Sequence, residues 1–254
     1  MRTPFIHLHT HSHYSLLDGL SQIDKMIALA KQYEMPAIGL TDHGNMYGAI
    51  EFYKTCKDAG IKPIIGVEAY IANRTRFDKE PTLDNKRYHL TLLAKNKTGY
   101  ENLIKLVTAS HLEGYYYKPR IDLDLLRTHA EGLVCLSGCF GGELSRALQN
   151  KNEKEAERVA LLYQSIFGKE NYFFEIMHHP GVVGLMEVRG RTVALGRKLG
   201  IPLVATADSH YLHEDDSRAH ETLLAIQTNS DMSDDNRFSM SSDHYFFINT
   251  ETAY

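Results

Sequence analysis

Seven short apolar runs, separated by longer amphipathic stretches, constrain the fold of this chain more than any other feature of its sequence. The runs cover residues 5–9, 37–41, 63–70, 88–94, 132–137, 172–177 and 202–207. They are mostly apolar on both faces, as parallel strands covered by helices are. Between them, residues 21–34, 103–112, 153–167 and 182–199 carry apolar side chains at helical spacing. In the first of these, Ile23, Met26, Ile27 and Ala30 share a face, with Ser21 expected as N-cap and Asp24 at the capping-box position. Such alternation implies right-handed βαβ units and a parallel sheet or barrel. There is no internal repeat and no linker, so one α/β domain over residues 1–254 is expected. Residues 73–86 read as an exposed loop, and a polar tail leaves the main body from about residue 230, over 230–243.

Chemistry-bearing residues collect where these strands end. The first runs into His9-Thr10-His11, the second into Thr41-Asp42-His43 and the third into Gly66-Val67-Glu68. The fifth leads to Ser137-Gly138-Cys139, the sixth to His178-His179 and the seventh to Asp208-Ser209-His210. In a barrel of parallel strands, the C-terminal ends form one rim, which is where such barrels place their chemistry. His89 is the exception, since it lies near the start of its strand. Imidazole, carboxylate and thiolate together suit Zn, Mn or Fe, whereas an all-oxygen set would suit Mg or Ca. Strand alternation puts His9 and His11 on one face, and Asp208 and His210 have the same spacing.

Other candidates have plainer readings. His7 and His13 are expected at the surface or behind the ligands, while His111, His129, His213, His220 and His244 are expected to be solvated. Cys135 falls in an apolar strand and Cys56 in a helix, so both read as core. Asp122 and Asp124 fit a helix start. Tyr115–Tyr117, beside Lys118, Pro119 and Arg120, offers rings that stack on bases but reads first as an ordered loop.

Composition excludes several classes. A net charge of −4 over 254 residues gives no basic footprint for nucleic acid. No apolar run approaches the roughly 20 residues of a membrane helix, so no membrane partner is expected. The first residues, MRTPFIHLHTHS, contain no secretory core, and three cysteines without a CxxC pair suit a reducing cytoplasm.

The motifs HTHS (9–12), YSLLDG (14–19), TDHG (41–44), IIGVE (64–68), LSGC (136–139) and DSHY (208–211) together resemble the PHP (polymerase and histidinol phosphatase) family. YSLLDG and KPRID (118–122) are similar to the branch that heads bacterial replicative polymerases, and this resemblance extends over nearly the whole chain. It implies a distorted (β/α)7, TIM-like barrel with three divalent metal ions in the rim cleft. Matched motif by motif, the metal ligands would be His9, His11, Asp18, His43, Glu68, His89, Cys139, Asp208 and His210. Asp208 would also lie near a metal-bridging water as a catalytic group, and His179 would face the substrate. Three ions bring about +6 against about −4 from the ligands, a local charge that attracts phosphate.

The resemblance therefore implies a metal-dependent phosphoesterase, acting as a 3′–5′ proofreading exonuclease on DNA ends. Two other roles follow from the same family: a metal-braced domain that docks the polymerase body and a separate proofreading subunit, or a free-standing small-molecule phosphatase. Polymerisation is not expected, because the family's catalytic palm lies beyond residue 254 and the chain reads as an excised domain.

Overall fold

The structure, a computed structural model, describes residues 3–240 and 245–254. The start of the N-terminal motif, the end of the expected tail and His244 therefore lie outside the described residues. In chain order the elements are α1 (Ile23–Gln32), β1 (Ala37–Leu40), α2 (Ala49–Ala59), β2 (Lys62–Ala72), β3 (Arg87–Ala94) and α3 (Lys97–Leu112). They continue with β4 (Tyr115–Tyr116), β5 (Lys118–Ile121), α4 (Leu123–His129), β6 (Leu133–Leu136), α5 (Glu143–Gln149) and α6 (Glu153–Phe167). The last are β7 (Tyr172–Ile176), α7 (Leu185–Leu199), β8 (Leu203–Ala205), α8 (Ser217–Thr228) and α9 (Thr250–Ala253).

The strands form one curled sheet. Its main run is β1-β2-β3-β6-β7-β8, and the β4–β5 hairpin continues beside β1 along the same edge of β2. Residues 7–11 connect the two free edges. On one side Gly39 N–H donates to the His7 carbonyl and Thr41 N–H to that of Thr10; on the other, His11 N–H donates to the Ser209 carbonyl. Seven staves result, in agreement with the expected distorted barrel. The first is extended but is not a regular strand, which corrects the expectation for 5–9. The Thr10 amide donates to the Thr41 hydroxyl (2.9 Å) instead of a backbone carbonyl, which interrupts the ladder.

The second correction concerns direction. β3 runs antiparallel to both β2 and β6, while β1–β2, β6–β7 and β7–β8 are parallel. The cause lies in the connection: 73–86 forms no helix, so the chain returns alongside β2 without the crossover that parallel strands require. That loop is exposed over most of its length but is pinned from beneath. The Arg120 side chain, 0 % exposed, donates to the carbonyls of Arg76, Asp78, Asp84 and Gly114.

Other local expectations changed as well. Helix α1 is capped by Gln22 without a side-chain bond, because the Ser21 carbonyl is engaged by His13 N–H. Tyr115 and Tyr116 pair with β5 as a hairpin, not a loop. Asp122 does cap α4, accepting from Leu125 N–H. The polar stretch after residue 230 turns back. His210 N–H donates to the Tyr245 carbonyl, Phe247 N–H to that of Tyr211, and the Phe247 ring is fully buried. One core fills the space between the sheet and α3, α5, α6 and α7, with Leu92, Cys135 and Phe174 at its centre; a second, around Ile23, Phe52, Cys56 and Phe247, lies under α1 and α2. No helix among the described residues is long and apolar enough to cross a membrane.

Candidate metal centre

The reversed direction of β3 explains His89. His89 stands opposite Tyr70 in the β2–β3 register, and Thr91 opposite Glu68, so the start of β3 meets the same rim where the other strands end. The loop after β6 closes over it. His89 N–H donates to the Gly141 carbonyl, and Gly138, at φ +84°, lets the backbone pass so close that a Cβ there would lie 2.3 Å from the His89 carbonyl oxygen. Cys139 thereby places its Sγ 3.4 Å from His89 Nδ1 and 3.5 Å from Glu68 Oε1.

All nine expected ligands meet at this rim. Glu68, 1 % exposed, is the hub: Oε1 lies 2.8 Å from His89 Nδ1 and 3.4 Å from His9 Nε2, and Oε2 lies against His43 Nδ1. Asp208 Oδ1 lies 3.1 Å from His11 Nε2 and 3.3 Å from His9 Nε2. Asp18 reaches His43 Nε2 at 3.0 Å and His210 Nε2 at 3.8 Å. The His43, His11 and His210 rings stack, with centroids 4.1 and 4.2 Å apart. Three groups of donor atoms each fit within 4.8 Å: His9, His11 and Asp208; His11, His43 and His210; His43, Glu68 and His89.

Residues that sequence reasoning passed over aim these ligands. Glu175, inside β7, accepts His9 Nδ1–H at 2.7 Å and the Thr206 and Thr91 hydroxyls. A lone glutamate in the apolar run YFFEI was the available signal. The Ser15 hydroxyl donates to Asp42 (2.7 Å) while its oxygen accepts His43 N–H and His11 Nδ1–H. Asp42, the middle residue of TDH, also takes Ser12 N–H and Oγ–H, so it braces the ligand loop and does not join the nine. His210 Nδ1–H donates to the Asp208 carbonyl (2.7 Å). His220 is not solvated as expected; it is buried and bonded to the Asp18 carbonyl (2.8 Å).

These bonds fix which ring nitrogens face inward. His9, His11 and His210 each commit Nδ1–H outward, leaving Nε2 toward the cluster. Burial, together with the neighbouring His43 and His210, pushes the His11 pKa down to about 3, so its ring is neutral. A bare nitrogen lone pair then opposes the Asp208 carboxylate at 3.1 Å, an arrangement that calls for a cation between them. Burial opposes charge on His9 and His43 too, but Asp208, Glu175 and Glu68 raise His9, and Glu68 leads the groups that raise His43. Burial and the nearby Glu68 and Asp208 carboxylates push the Cys139 thiol up, and a cation there would reverse that. Among the described residues, His9 Nε2 and Asp18 Oδ1 are buried without a hydrogen-bond partner, both turned to this centre. The donor set fits divalent metal ions.

The remaining histidines are placed elsewhere. His7 is buried, stacked on Phe247, and bonded through Nε2 to the Ile248 carbonyl, whereas His13 is exposed. His179 is buried beside a separate cavity of about 570 Å³ and stacks on Tyr245, whose ring edge meets His210.

The PHP domain family matches residues 7–179 of the chain. The chain belongs to the PHP family. Two of the nine residues, Asp208 and His210, lie past that match but within the reach of longer relatives. The DNA polymerase III subunit alpha of Treponema pallidum is 46% identical over 251 residues, covering 98% of this chain and 21% of the relative. That of Thermus aquaticus is 44% identical over 246 residues, covering 95% and 20%. This PHP chain thus spans about a fifth of the length of the curated relatives it matches. Among solved structures, a Bifidobacterium adolescentis protein described as a metal-dependent phosphoesterase superposes with TM-score 0.55 at 11% identity, over 82% of this chain and 89% of that one. An amidohydrolase from Chromobacterium violaceum gives 0.52 at 15%, over 81% and 87%. Their likeness is one of fold.

Proposed function

We propose that this PHP domain is a metal-dependent phosphoesterase that removes nucleotides from DNA 3′ ends, as a 3′–5′ exonuclease. The observation that carries the reading is the neutral His11 imidazole, whose bare Nε2 is set against the Asp208 carboxylate at 3.1 Å among three groups of donor atoms that each fit within 4.8 Å. Its ligands would be His9, His11, Asp18, His43, Glu68, His89, Cys139, Asp208 and His210, holding three ions of Zn, Mn or Fe. Such ions, when bound, supply Lewis-acid charge to a phosphoryl group and acidify water. The chain's own residues do the rest. Glu175, Ser15 and the Asp208 carbonyl hold three imidazoles in one tautomer, so the donor atoms need no rearrangement as substrate arrives. Asp208, close to two of those nitrogens and 12 % exposed at its side chain, would lie near the attacking water in this reading. His179, stacked on Tyr245 at the wall of the cavity of about 570 Å³, would face the substrate. By its relatives' length, the domain would head a polymerase alpha subunit, with the remainder of that subunit and a proofreading subunit as its partners.

The test is release of nucleotides from a 3′-labelled single-stranded oligonucleotide by the purified chain supplied with Mn or Zn. Activity should disappear in the double variant His9→Ala, Asp208→Ala. Undiminished release in that variant would overturn the reading. Stronger turnover of histidinol phosphate would favour the small-molecule phosphatase, and metal-dependent folding without turnover of either ester would favour the docking role.

A further inference from the structure

A cavity of about 270 Å³ opens directly on the candidate metal centre, with Asp18 and His43 on its wall. Its outer wall is aromatic. Tyr47, His111 and Tyr115 stand in a row, with ring centroids 6.3 and 6.4 Å apart, and Tyr70 lies deeper, 5.9 Å from the His43 ring. Tyr47 and Tyr115 are 59% and 54% exposed, so their ring faces are open to a ligand at the mouth of the cavity. His111, expected to be solvated, is fixed by its Nε2 bond to the Gly44 carbonyl at 3.0 Å. The β4–β5 hairpin carries Tyr115 to this position, and Lys118 of the same hairpin lies over the Tyr70 ring, its Nζ 5.8 Å from the centroid.

We propose that this aromatic wall is the subsite for the terminal nucleobase of a single-stranded substrate, with Lys118 beside the strand's next phosphate. The inference rests on the phosphoesterase reading of the adjoining centre and adds the part of the substrate that is recognised. Three considerations favour a base over a sugar phosphate or a peptide. Exposed tyrosine faces offer a base the flat, sequence-tolerant platform by which single strands are held. The volume lies just below the roughly 300–1,000 Å³ of small-ligand sites, which suits one unit and not a duplex. One cation at the mouth, Lys118, provides a local phosphate contact beside the cavity on a chain whose net charge of −4 gives no overall basic surface.

The experiment compares two 3′-labelled oligonucleotides that differ only in the last unit, a normal nucleotide or an abasic tetrahydrofuran. The readout is the ratio of their kcat/KM values. The subsite predicts a ratio well above one for the native chain, reduced about tenfold by Tyr47→Ala or Tyr115→Ala and retained by Tyr47→Phe and Tyr115→Phe. Lys118→Gln should flatten the dependence of binding on log salt by about 0.7, the loss of one single-strand phosphate contact. A ratio near one in the native chain, or one that survives both alanine variants, would overturn the subsite while leaving the phosphoesterase reading intact. If neither oligonucleotide is cleaved, the phosphoesterase reading fails, and fluorescence anisotropy of the same two probes decides the subsite. A base-dependent Kd that the alanine variants abolish supports it, and equal Kd values for the two probes refute it.

Discussion

Replacing Glu175 by glutamine tests whether the centre depends on negative charge behind its ligands. Oε1 of Glu175 accepts from His9 Nδ1–H (2.7 Å) and the Thr206 hydroxyl (2.6 Å), and Oε2 accepts from the Thr91 hydroxyl (3.2 Å). A glutamine carbonyl can take the Oε1 place, while its amide group meets the Thr91 oxygen, which turns to accept. The number of hydrogen bonds survives and only the charge is lost. A bond to a charged group contributes about 1.5–3 kcal/mol and a neutral one about 0.5–1.5, so Glu175→Gln removes roughly 1–1.5 kcal/mol from the orientation and basicity of His9. That is about tenfold in affinity for the ion His9 would hold, within the ~10–100-fold usual for such supporting partners. Glu175→Ala goes further, leaving an imidazole N–H and two hydroxyls unpaired at a site 6% exposed, and should destabilise the fold by about 3 kcal/mol or more. Competition with a chromophoric chelator for Mn or Zn measures the first effect and thermal melts measure the second. Native metal affinity in Glu175→Gln would refute the argument that charge behind His9 matters.

Three further outcomes follow from the same structure. Arg120→Met removes donors from four buried-side carbonyls and should cost about 3–5 kcal/mol, lowering Tm by roughly 10 °C and exposing 73–86 to trypsin; an unchanged melt and cleavage pattern would count against it. Gly138→Ala forces a side chain into φ +84° and against the His89 carbonyl, so it should destabilise by about 2 kcal/mol or more and make Cys139 alkylate in metal-loaded protein, where the native thiol is protected. Burial lowers the His7 pKa from 6.5 to about 4, so the unfolded chain binds more protons between those values. Stability from this group is therefore complete above pH 6.5, falls as pH drops toward 4, and levels off at a loss of about 3 kcal/mol. Urea melts of His7→Phe, which keeps the stack on Phe247, should show a shallower slope between pH 6.5 and 4; equal slopes would contradict this.

Residue types and strand ends made most of the candidate site legible. HTH, the histidine of TDH, the glutamate of IIGVE and DSH each follow an apolar run, and the rule that strand ends share a rim brings them together without further information. His89 could not be placed that way, because direction depends on the connection, and a 14-residue loop without a helix allows an antiparallel return that apolar runs do not reveal. Glu175 went unnoticed, and Asp42 was named at its strand end without its bracing role, for a different reason. Their roles depend on which hydroxyl and imidazole lie opposite them across 166 and 30 residues of sequence, and no spacing along the chain encodes that. The aromatic wall was visible as a tyrosine run, but only the hairpin that turns Tyr115 toward Tyr47 gives the run a purpose.

The supporting residues also explain why the centre is tied to the fold. Asp208 adopts φ +48° and Leu17, next to Asp18, φ +60°, a region that costs a non-glycine residue about 1–3 kcal/mol. Both lie in segments that hydrogen bonds hold in place: His220, from α8, grips the Asp18 carbonyl, and the Asp208 carbonyl takes Nδ1–H of His210 two residues on. The strained residues and the carboxylate oxygens of Asp18, Glu68 and Asp208 lie together at this rim, while Leu92, Cys135 and Phe174 are fully buried behind it. A cation that pairs those oxygens and inward nitrogens binds the folded chain and not the unfolded one, so its affinity adds directly to stability. The nine converging side chains are thus an arrangement the barrel can hold at some cost and a divalent ion can relieve, which is what separates a metal centre from a merely polar rim.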